Sequence, residues 1–502
     1  MENERGSWGS NIGFLLAAIG SAVGLGNIWG FPYKMGKSGG FTFLLAYLFL
    51  AVFVGFVVMV SELAMGRKVG KGVIGCYHTL SKKFKWVGWL AVFSPFIIMS
   101  FYSVLGGYCI EYMSLNMSNL AFGGSEVLST GSELFGAMLT NPFGCVVFTL
   151  LFLVICFLIN RGGISGGIEK FNKIGMPALF VMLVIIIIRA LTLPSAAEGL
   201  KFMFVPGYAV SAGFIAEAPN FITVLATAGG QMFFSLSLAM GVMFTYGSYL
   251  SKQENLVKNS VVIVFSDTLV ALMAGLAVIP AAVANGIAQI NGGATVIDAA
   301  TGLERAMTLA DIKLNGPNLL FVTLQDVFNA MGTAGPLFGV IFYLLVLIAA
   351  ISSAISLVEV VATFFLDRAA EKGKEASRHK VVLIVCLAIT VEAVLVAVDG
   401  LGSNGLWVPG QATFGIHGWN DCWLDFMDMM SEGIAMPLGA LLMSLMVAFE
   451  VKPKTVLEEV RLGSSAKIDL FYKICIYVVT PLGMFLVLLG QLNDFGFIHL
   501  FG

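Results

Sequence analysis

The residues with the most chemical potential lie inside an apolar segment, 13–33, which is long enough to cross a bilayer. Small and polar residues interrupt it near its middle: Gly20, Ser21, Gly24, Gly26 and Asn27. A spanning helix normally avoids such a stretch, because each backbone N–H or C=O group freed in hydrocarbon costs several kcal/mol. A break at mid-depth is tolerated where it is buried in protein or lines a cavity. Broken helices of this kind hold ions and substrates in secondary transporters, which suggests a transport hypothesis.

A second apolar segment, 219–250, carries a similar interruption, formed by Gly229, Gly230, Ser235 and Ser237. The N-terminus of a half-helix carries about +0.5 charge and free N–H groups, so it favours an anion. Unwound carbonyl groups favour a cation, and the combination suits a carboxylate paired with a small hard ion. Glycine and serine also let membrane helices pack closely without any binding role. Two matched interruptions favour the binding interpretation over the packing one.

Asp267 lies well inside another apolar segment, where a carboxylate is expensive and suggests a functional site. It could ligate Na⁺, relay a proton, or remain a neutral hydrogen-bonded acid, and the residues alone leave these three roles open. Ser352, Ser353 and Ser356 lie in a further segment and could give oxygens to a hard cation. Their hydroxyls could equally bond to the carbonyl one turn earlier in their own helix.

Charged residues near the segment ends suggest gates. Arg5 and Trp8 precede the first segment, and Asp367 ends the segment that holds the serines. An Arg5–Asp367 pair could latch a cytoplasmic exit, although isolated interfacial charges are commoner. Glu62 is deep enough to need a partner, and the N–H groups of an unwound helix are one candidate.

The composition indicates an all-α polytopic membrane protein. Of 502 residues, 58% are hydrophobic and 12% charged, far from the balance of a soluble domain. At roughly 20 residues per span, we predict eleven spans, numbered in chain order: about 10–36, 40–66, 87–119, 142–160, 168–192, 219–250, 257–286, 336–366, 380–399, 424–449 and 470–492. They occupy most of residues 1–502, which we therefore treat as one membrane transport domain in a lipid bilayer.

Other classes of function lack support in the sequence. It contains no GxSxG, HExxH or Walker motif, so we expect no enzyme activity and no ATP-driven transport. The net charge of −2 gives no reason to expect a nucleic-acid partner. The seven cysteines are scattered without CxxC spacing and are interpreted as small core residues.

The distribution of lysine and arginine predicts the orientation. Placing the N-terminus inside puts most basic residues, such as Lys82 and Lys83, on the cytoplasmic side of a cytoplasmic membrane. Eleven spans then leave the C-terminus outside. The long outer stretch 287–335 carries two short helical patterns, at 302–309 and 322–330, and loops of this length usually have a function.

The spans also divide into two halves. Residues 10–192 and 219–449 each hold five spans and each open with an interrupted one, so span 470–492 is extra. Matched interruptions in two halves indicate an inverted repeat with a binding site at mid-membrane.

Three motifs then resemble a known family. AAIGSAVGLGNIWGFPY resembles the first-span signature of the neurotransmitter:sodium symporters, GQMFFSLSLAMGVMFTYGSY their sixth span and AAISSAIS their eighth. The resemblance covers essentially the whole chain and is strongest to the eleven-span bacterial amino-acid transporters. It implies the leucine-transporter-like fold, a five-plus-five inverted repeat with discontinuous helices 1 and 6.

The resemblance implies roles for individual residues. The first of two Na⁺ sites would use Ala22, Asn27, Ser235 and Asp267, and the second would use Gly20, Val23, Ala349, Ser352 and Ser353. The substrate would contact Ala22, Gly24, Gly26, Ile98, Tyr102, Phe234, Ser235, Ser237, Met240, Ser353, Ser356 and Leu357, with Phe234 as a lid. The gates would include Arg5, Trp8, Tyr249, Asp367 and Asp428.

Three positions then distinguish this chain within the family. Gly24 replaces the aspartate of monoamine transporters, so the substrate is expected to bring its own carboxylate. Asp267 replaces the asparagine of chloride-dependent members, which predicts chloride-independent transport. Gly30 replaces the usual arginine, the partner of the aspartate that matches Asp428, and leaves Lys34 or Lys37 as the candidate substitute.

The expected function is therefore sodium-coupled symport of an amino acid, with hydrophobic or aromatic side chains favoured by the apolar pocket. Two alternatives stay open. One is a sensor that binds amino acids on a transporter scaffold without moving them, supported only by the missing arginine. The other is a proton-coupled carrier that uses Asp267. The sequence makes no prediction of the oligomeric state.

Overall fold

The computed structural model describes residues 7–122, 130–298, 302–312, 314, 316–409 and 422–500. Within these residues nine helices are long and apolar enough to cross a membrane: Phe41–Val69, Val87–Phe122, Pro142–Asn160, Ile164–Leu191, Leu256–Asn291, Gly332–Glu371, Arg378–Asp399, Trp423–Val451 and Asp469–Asp494. A tenth candidate is a bent pair, Asn11–Ala22 and Gly26–Lys37, with 45° between its halves. The predicted all-α class and the broken first helix are confirmed.

The sixth predicted span is also broken. It consists of the helices Phe221–Ser235 and Val242–Gly247, separated by a non-helical stretch at 236–241. Each piece is too short to cross a bilayer alone. Counting the two pieces as one span would give eleven spans in total, and this number of spans stays a prediction.

Short elements connect the spans. They are the helices Val73–Leu80, Gly131–Leu139, Ala196–Phe204, Tyr208–Ser211, Leu319–Asn329 and Pro453–Arg461, the 3₁₀ turn Leu309–Asp311, and the strands Thr295–Ile297 and Glu304–Ala306. The helical pattern at 322–330 lies largely within Leu319–Asn329, as predicted. The other, at 302–309, is wrong.

A small antiparallel hairpin replaces the helix predicted at 302–309. Thr295 pairs with Ala306, and the Arg305 guanidinium bonds both carboxylate oxygens of Asp311 at 2.7 Å. This ion pair holds the pKa of the Asp311 carboxyl well below its usual range. Cross-strand and charged contacts therefore outweigh a short local helical pattern.

The spans form a central group and a peripheral group. In the most apolar stretch of each helix, 83% of residues are buried in Val87–Phe122 and 78% in Gly332–Glu371, against 28% in Pro142–Asn160. Large side chains on peripheral helices remain more than half exposed, including Ile188, Val391 and Leu482. This is the arrangement expected when lipid, and not water, surrounds the outer helices.

Close backbone contact fixes the second half of span 6 against span 2. A Cβ atom at Gly66 would lie 2.2 Å from the Phe244 carbonyl oxygen, and one at Gly247 would lie 2.6 Å from the Leu63 carbonyl oxygen. Backbone atoms cannot move aside as a flexible side chain can. Glycine at both positions therefore allows the short helix Val242–Gly247 to lie directly on span 2.

We expect Gly66→Ala to destabilise the protein by about 1–3 kcal/mol, because the added methyl group overpacks a backbone contact. The measurement is the apparent melting temperature of the purified protein in detergent. Gly136→Ala is the matched control, since no atom lies within 4 Å of its added Cβ. Equal melting temperatures for the two variants would contradict this view of the contact.

Candidate functional site

The break in span 1 is stabilised by side chains. Its first helix ends at Ala22, and Val23 adopts an extended conformation. The backbone N–H of Gly24 donates to Asn27 Oδ1 at 3.0 Å, and that of Leu25 donates to the Tyr102 hydroxyl at 3.0 Å. Two N–H groups freed by the break are thus paired inside the protein.

The break in span 6 contains strained backbone. Ser237 and Ala239 have φ values of +53° and +60°, a region that residues other than glycine rarely occupy. The Ala239 N–H donates to Glu62 Oε1 at 2.8 Å, and Ser237 Oγ donates to the Ser21 carbonyl at 2.8 Å. Unwound backbone is therefore the partner of Glu62, as predicted, and the two breaks contact each other.

Asp267 lies beside both breaks. Its Oδ1 accepts from Asn27 Nδ2 at 2.7 Å and from Ser235 Oγ at 2.9 Å, and its Oδ2 accepts from the Tyr47 hydroxyl at 3.1 Å. Asn27, Ser235 and Asp267 are fully buried. The structure therefore brings three of the four residues predicted for the first ion site into direct contact, and the fourth, Ala22, lines the adjoining pocket.

Two polar residues at this site were missed from the sequence. Tyr47 is fully buried and bonds to Asp267, and Gln231 Nε2 donates to the Gly26 carbonyl at 2.6 Å. Tyr47 lies in the uniformly apolar run FTFLLAYLFL, without a glycine or charge beside it. The available signal was a polar group in the middle of a span, which in a membrane needs a partner.

The second predicted ion site is also assembled. Ser352 Oγ lies 3.4 Å from the Val23 carbonyl oxygen and 2.9 Å from that of Ala349. Ser353 Oγ lies 3.4 Å from the Gly20 carbonyl oxygen and 2.9 Å from that of Ser21. Hydroxyl and carbonyl oxygens from spans 1 and 8 therefore converge, and these are the ligand types that hard cations prefer.

A pocket lies between parts of the two broken helices. It is lined by Ser21, Ala22, Gly24, Gly26, Ile98, Tyr102, Phe234, Ser237, Met240, Ser353 and Leu357. A Cβ atom at Gly24 would lie 2.2 Å from Ser353 Oγ and 2.6 Å from the Tyr102 hydroxyl, so this position has no room for a side chain. Phe234, only partly buried, lies with its ring 6.2 Å from that of Tyr102.

Two predicted substrate contacts point elsewhere. Ser235 lies against Asp267, as described above. Ser356 Oγ lies 2.6 Å from the Tyr246 hydroxyl, and Tyr246 in turn accepts a bond from Trp8 Nε1 at its carbonyl, at 3.2 Å. Trp8, which precedes span 1, is thereby connected through Tyr246 of span 6 to Ser356 of span 8.

The predicted cytoplasmic gate is only partly described. Arg5 lies outside the described residues. Asp367 Oδ2 accepts from the Gly72 N–H at 2.7 Å, and the Tyr249 hydroxyl donates to Glu359 Oε1 at 3.1 Å. Glu359 also forms an ion pair with Arg378, so charged and hydroxyl groups concentrate at this end of span 8.

The opposite side of the pocket holds a different ion pair. Lys34 pairs with Glu432, and each side chain is only 9% exposed. They line a second small cavity together with Gly30, Phe234 and Asp428, among other residues. Lys34, one of the two lysines named as substitutes for the missing arginine, therefore binds a carboxylate on span 10.

Comparisons with known proteins find similarity over nearly the whole chain. A profile described as the sodium:neurotransmitter symporter family matches residues 5–127 and 125–499. The uncharacterized sodium-dependent transporter YhdH of Bacillus subtilis is 32% identical over 99% of this chain and 100% of its own length. A similarly named protein of Methanocaldococcus jannaschii, MJ1319, is 30% identical over 95% of this chain and 89% of its own.

One solved structure is similar throughout. The crystal structure of MhsT in complex with L-phenylalanine has a TM-score of 0.79 and 30% sequence identity. The match covers 97% of this chain and 100% of that one.

We expect Glu62→Ala to destabilise the protein by about 1–3 kcal/mol, because it leaves the Ala239 N–H unpaired in the break of span 6. Glu62→Gln is the control, since its amide oxygen can still accept this bond. Thermal unfolding of both variants in detergent gives the comparison. A Glu62→Gln variant as unstable as Glu62→Ala would show that the charge, and not the hydrogen bond, is what matters.

Proposed function

Because the chain belongs to the sodium:neurotransmitter symporter family, we propose that it carries an amino acid across the cell membrane together with sodium. The members of this family are sodium-dependent transporters, so the chain is a membrane transporter and not an enzyme. The observation that supports the proposal best is the pocket between two broken helices, with the buried Asp267 on one side and converging neutral oxygens on the other.

The first sodium would bind at Asp267, with oxygens from Asn27, Ser235 and the Ala22 carbonyl. Asp267 accepts hydrogen bonds from Asn27, Ser235 and Tyr47. A cation next to this carboxylate and next to a substrate carboxylate would reduce the repulsion between them. Sodium and an anionic substrate group would therefore bind more tightly together than separately, which is the basis of coupling.

The second sodium would bind among the carbonyls of Gly20, Val23 and Ala349 and the hydroxyls of Ser352 and Ser353. All five groups are neutral, so this site lacks the carboxylate that the first one has. Because its oxygens come from both sides, a bound ion would hold the unwound part of span 1 against span 8. Its loss would free span 1 to move, which suits a release step.

An α-amino acid fits the pocket. Gly24 and Gly26 lie at the start of the second half of span 1, where helix geometry favours a carboxylate. Ile98, Phe234, Met240 and Leu357 supply apolar surface, so hydrophobic and aromatic side chains are favoured. The bound L-phenylalanine of the related MhsT supports this class.

The remaining parts of the proposal concern direction and accessory ions. Two inverted repeats, 10–192 and 219–449, would alternate access to the pocket, with the N-terminus inside and the C-terminus outside. A latch at Arg5 and Asp367 would close the cytoplasmic side. The fixed charge of Asp267 would balance sodium without chloride.

We test the proposal in proteoliposomes with a panel of radiolabelled amino acids that includes L-phenylalanine. An imposed inward sodium gradient is expected to drive uptake, and replacing chloride by gluconate is expected to leave the rate unchanged. Asp267→Asn should lower sodium-driven uptake roughly tenfold or more, because it removes the charged ligand of the first site. Glu392→Gln, another carboxylate within a span, is the control and should transport normally.

Three outcomes would contradict the proposal. Uptake driven by a pH gradient without sodium would indicate a proton-coupled carrier. Saturable binding of the amino acid without any uptake would indicate a sensor. Normal uptake by the Asp267→Asn variant would reject the first sodium site.

A further inference from the structure

On the predicted outer side of the pocket, an ion pair lies at positions other than 30 and 428, where the family resemblance implies one. Lys34 lies in the second half of span 1 and Glu432 lies in span 10, and their charged groups form an ion pair. Phe234, the proposed lid, lines the same cavity as this pair and also lines the substrate pocket. An ion pair that joins span 1 to span 10 here lies across the outer path to the pocket.

The position of the pair follows a simple register. Lys34 is four residues after Gly30, and Glu432 is four residues after Asp428. Residues four apart lie on the same face of a helix, about one turn away from each other. Spans 1 and 10 run in opposite directions in the predicted topology, so Lys34 lies one turn farther out than Gly30 and Glu432 lies one turn deeper than Asp428.

Crowding at Gly30 explains the shift on span 1. A Cβ atom at Gly30 would lie 2.7 Å from Gln231 Oε1, and Gln231 is fixed by its bond to the Gly26 carbonyl at 2.6 Å. A long side chain at position 30 would have to displace this buried amide. Position 30 therefore supplies no cation, and Lys34 on the next turn of span 1 supplies it instead.

The chemistry of lysine explains why a single carboxylate is used. A guanidinium group has a planar fork that can bind two acceptors, whereas an ammonium group acts as a compact point charge. Lys34 makes its ion pair with Glu432. Asp428 lines the same cavity and makes no ion pair closer than 4.0 Å in the described part of the chain, but its carboxyl hydrogen-bonds with that of Glu432.

We propose that the Lys34–Glu432 ion pair holds the outer path closed over Phe234, and that Asp428 contributes only a hydrogen bond to Glu432 and no ion pair of its own. The inference rests on the proposed transport function and on the N-terminus lying inside. Breaking one partner of a buried pair leaves an uncompensated charge, so the pair favours the closed state. When the path opens, water solvates both groups and they can separate.

A reporter cysteine tests closure without the transported molecule, so its result is independent of the uptake assay. Phe101 is 2% exposed, lines the same cavity as the pair and precedes Tyr102, which lines the substrate pocket. The Phe101→Cys protein is purified in sodium, and the rate of its reaction with a polar maleimide is measured. The seven native cysteines are all buried, and the parent without the reporter gives their background rate.

Three further variants are made in the reporter background. Glu432→Gln is expected to raise the reaction rate by roughly tenfold, because it leaves Lys34 unpaired. Asp428→Asn, the matched control one turn away in the same cavity, is expected to change the rate less than about twofold, because its amide can still hydrogen-bond with Glu432. The exchange K34E/E432K restores opposite charges and is expected to return the rate toward that of the parent.

Each result decides between outcomes. An Asp428→Asn rate as high as that of Glu432→Gln would overturn the proposal, as would an unchanged rate in Glu432→Gln. If Glu432→Gln does not elute as a single folded species, the exchanged variant decides alone: slow labelling supports the pair, and fast labelling of folded protein rejects it.

Discussion

Every backbone polar group at membrane depth must find its partner inside the protein, and this constraint shapes the whole binding site. Span 1 and span 6 both lose their helical hydrogen bonds near the pocket. Asn27 and Tyr102 accept the freed N–H groups of span 1, and Glu62 accepts that of Ala239 in span 6. Polar side chains from spans 2 and 3, together with Asn27 of span 1 itself, therefore stabilise the breaks.

The same constraint organises charge at the site. Asp267 is buried, and amide and hydroxyl donors from three other spans surround it: Asn27, Tyr47 and Ser235. Every one of these donors comes from a different span, so the site forms only when the spans are packed together. On the other side of span 1, the hydroxyls of Ser352 and Ser353 lie against carbonyl oxygens that carry no full charge. The two predicted ion sites thus differ in the charge that the protein itself contributes.

The sequence predicted local breaks better than long-range partners. Glycine and serine inside an apolar run revealed both breaks, and the depth of Glu62 in its span indicated that it needed a partner. Tyr47 was missed because its partner, Asp267, is 220 residues away. The segment 302–309 was predicted as helix because its pairing with the strand Thr295–Ile297 leaves no local signal. Both misses were decided by contacts outside the segment itself, across 220 residues for Tyr47 and within a short hairpin for 302–309.

The outer side of the pocket bears on the alternative that the chain is a sensor. That alternative was supported only by the absence of arginine at Gly30, which suggested that an outer gate had been lost. Lys34 and Glu432, each one helical turn from Gly30 and Asp428 respectively, form a buried ion pair between the same two spans. A steric reason accompanies the change, because Gln231 occupies the space that a side chain at Gly30 would need. The missing arginine is therefore compatible with a relocated gate, and it no longer gives a reason to expect a protein that binds without transporting.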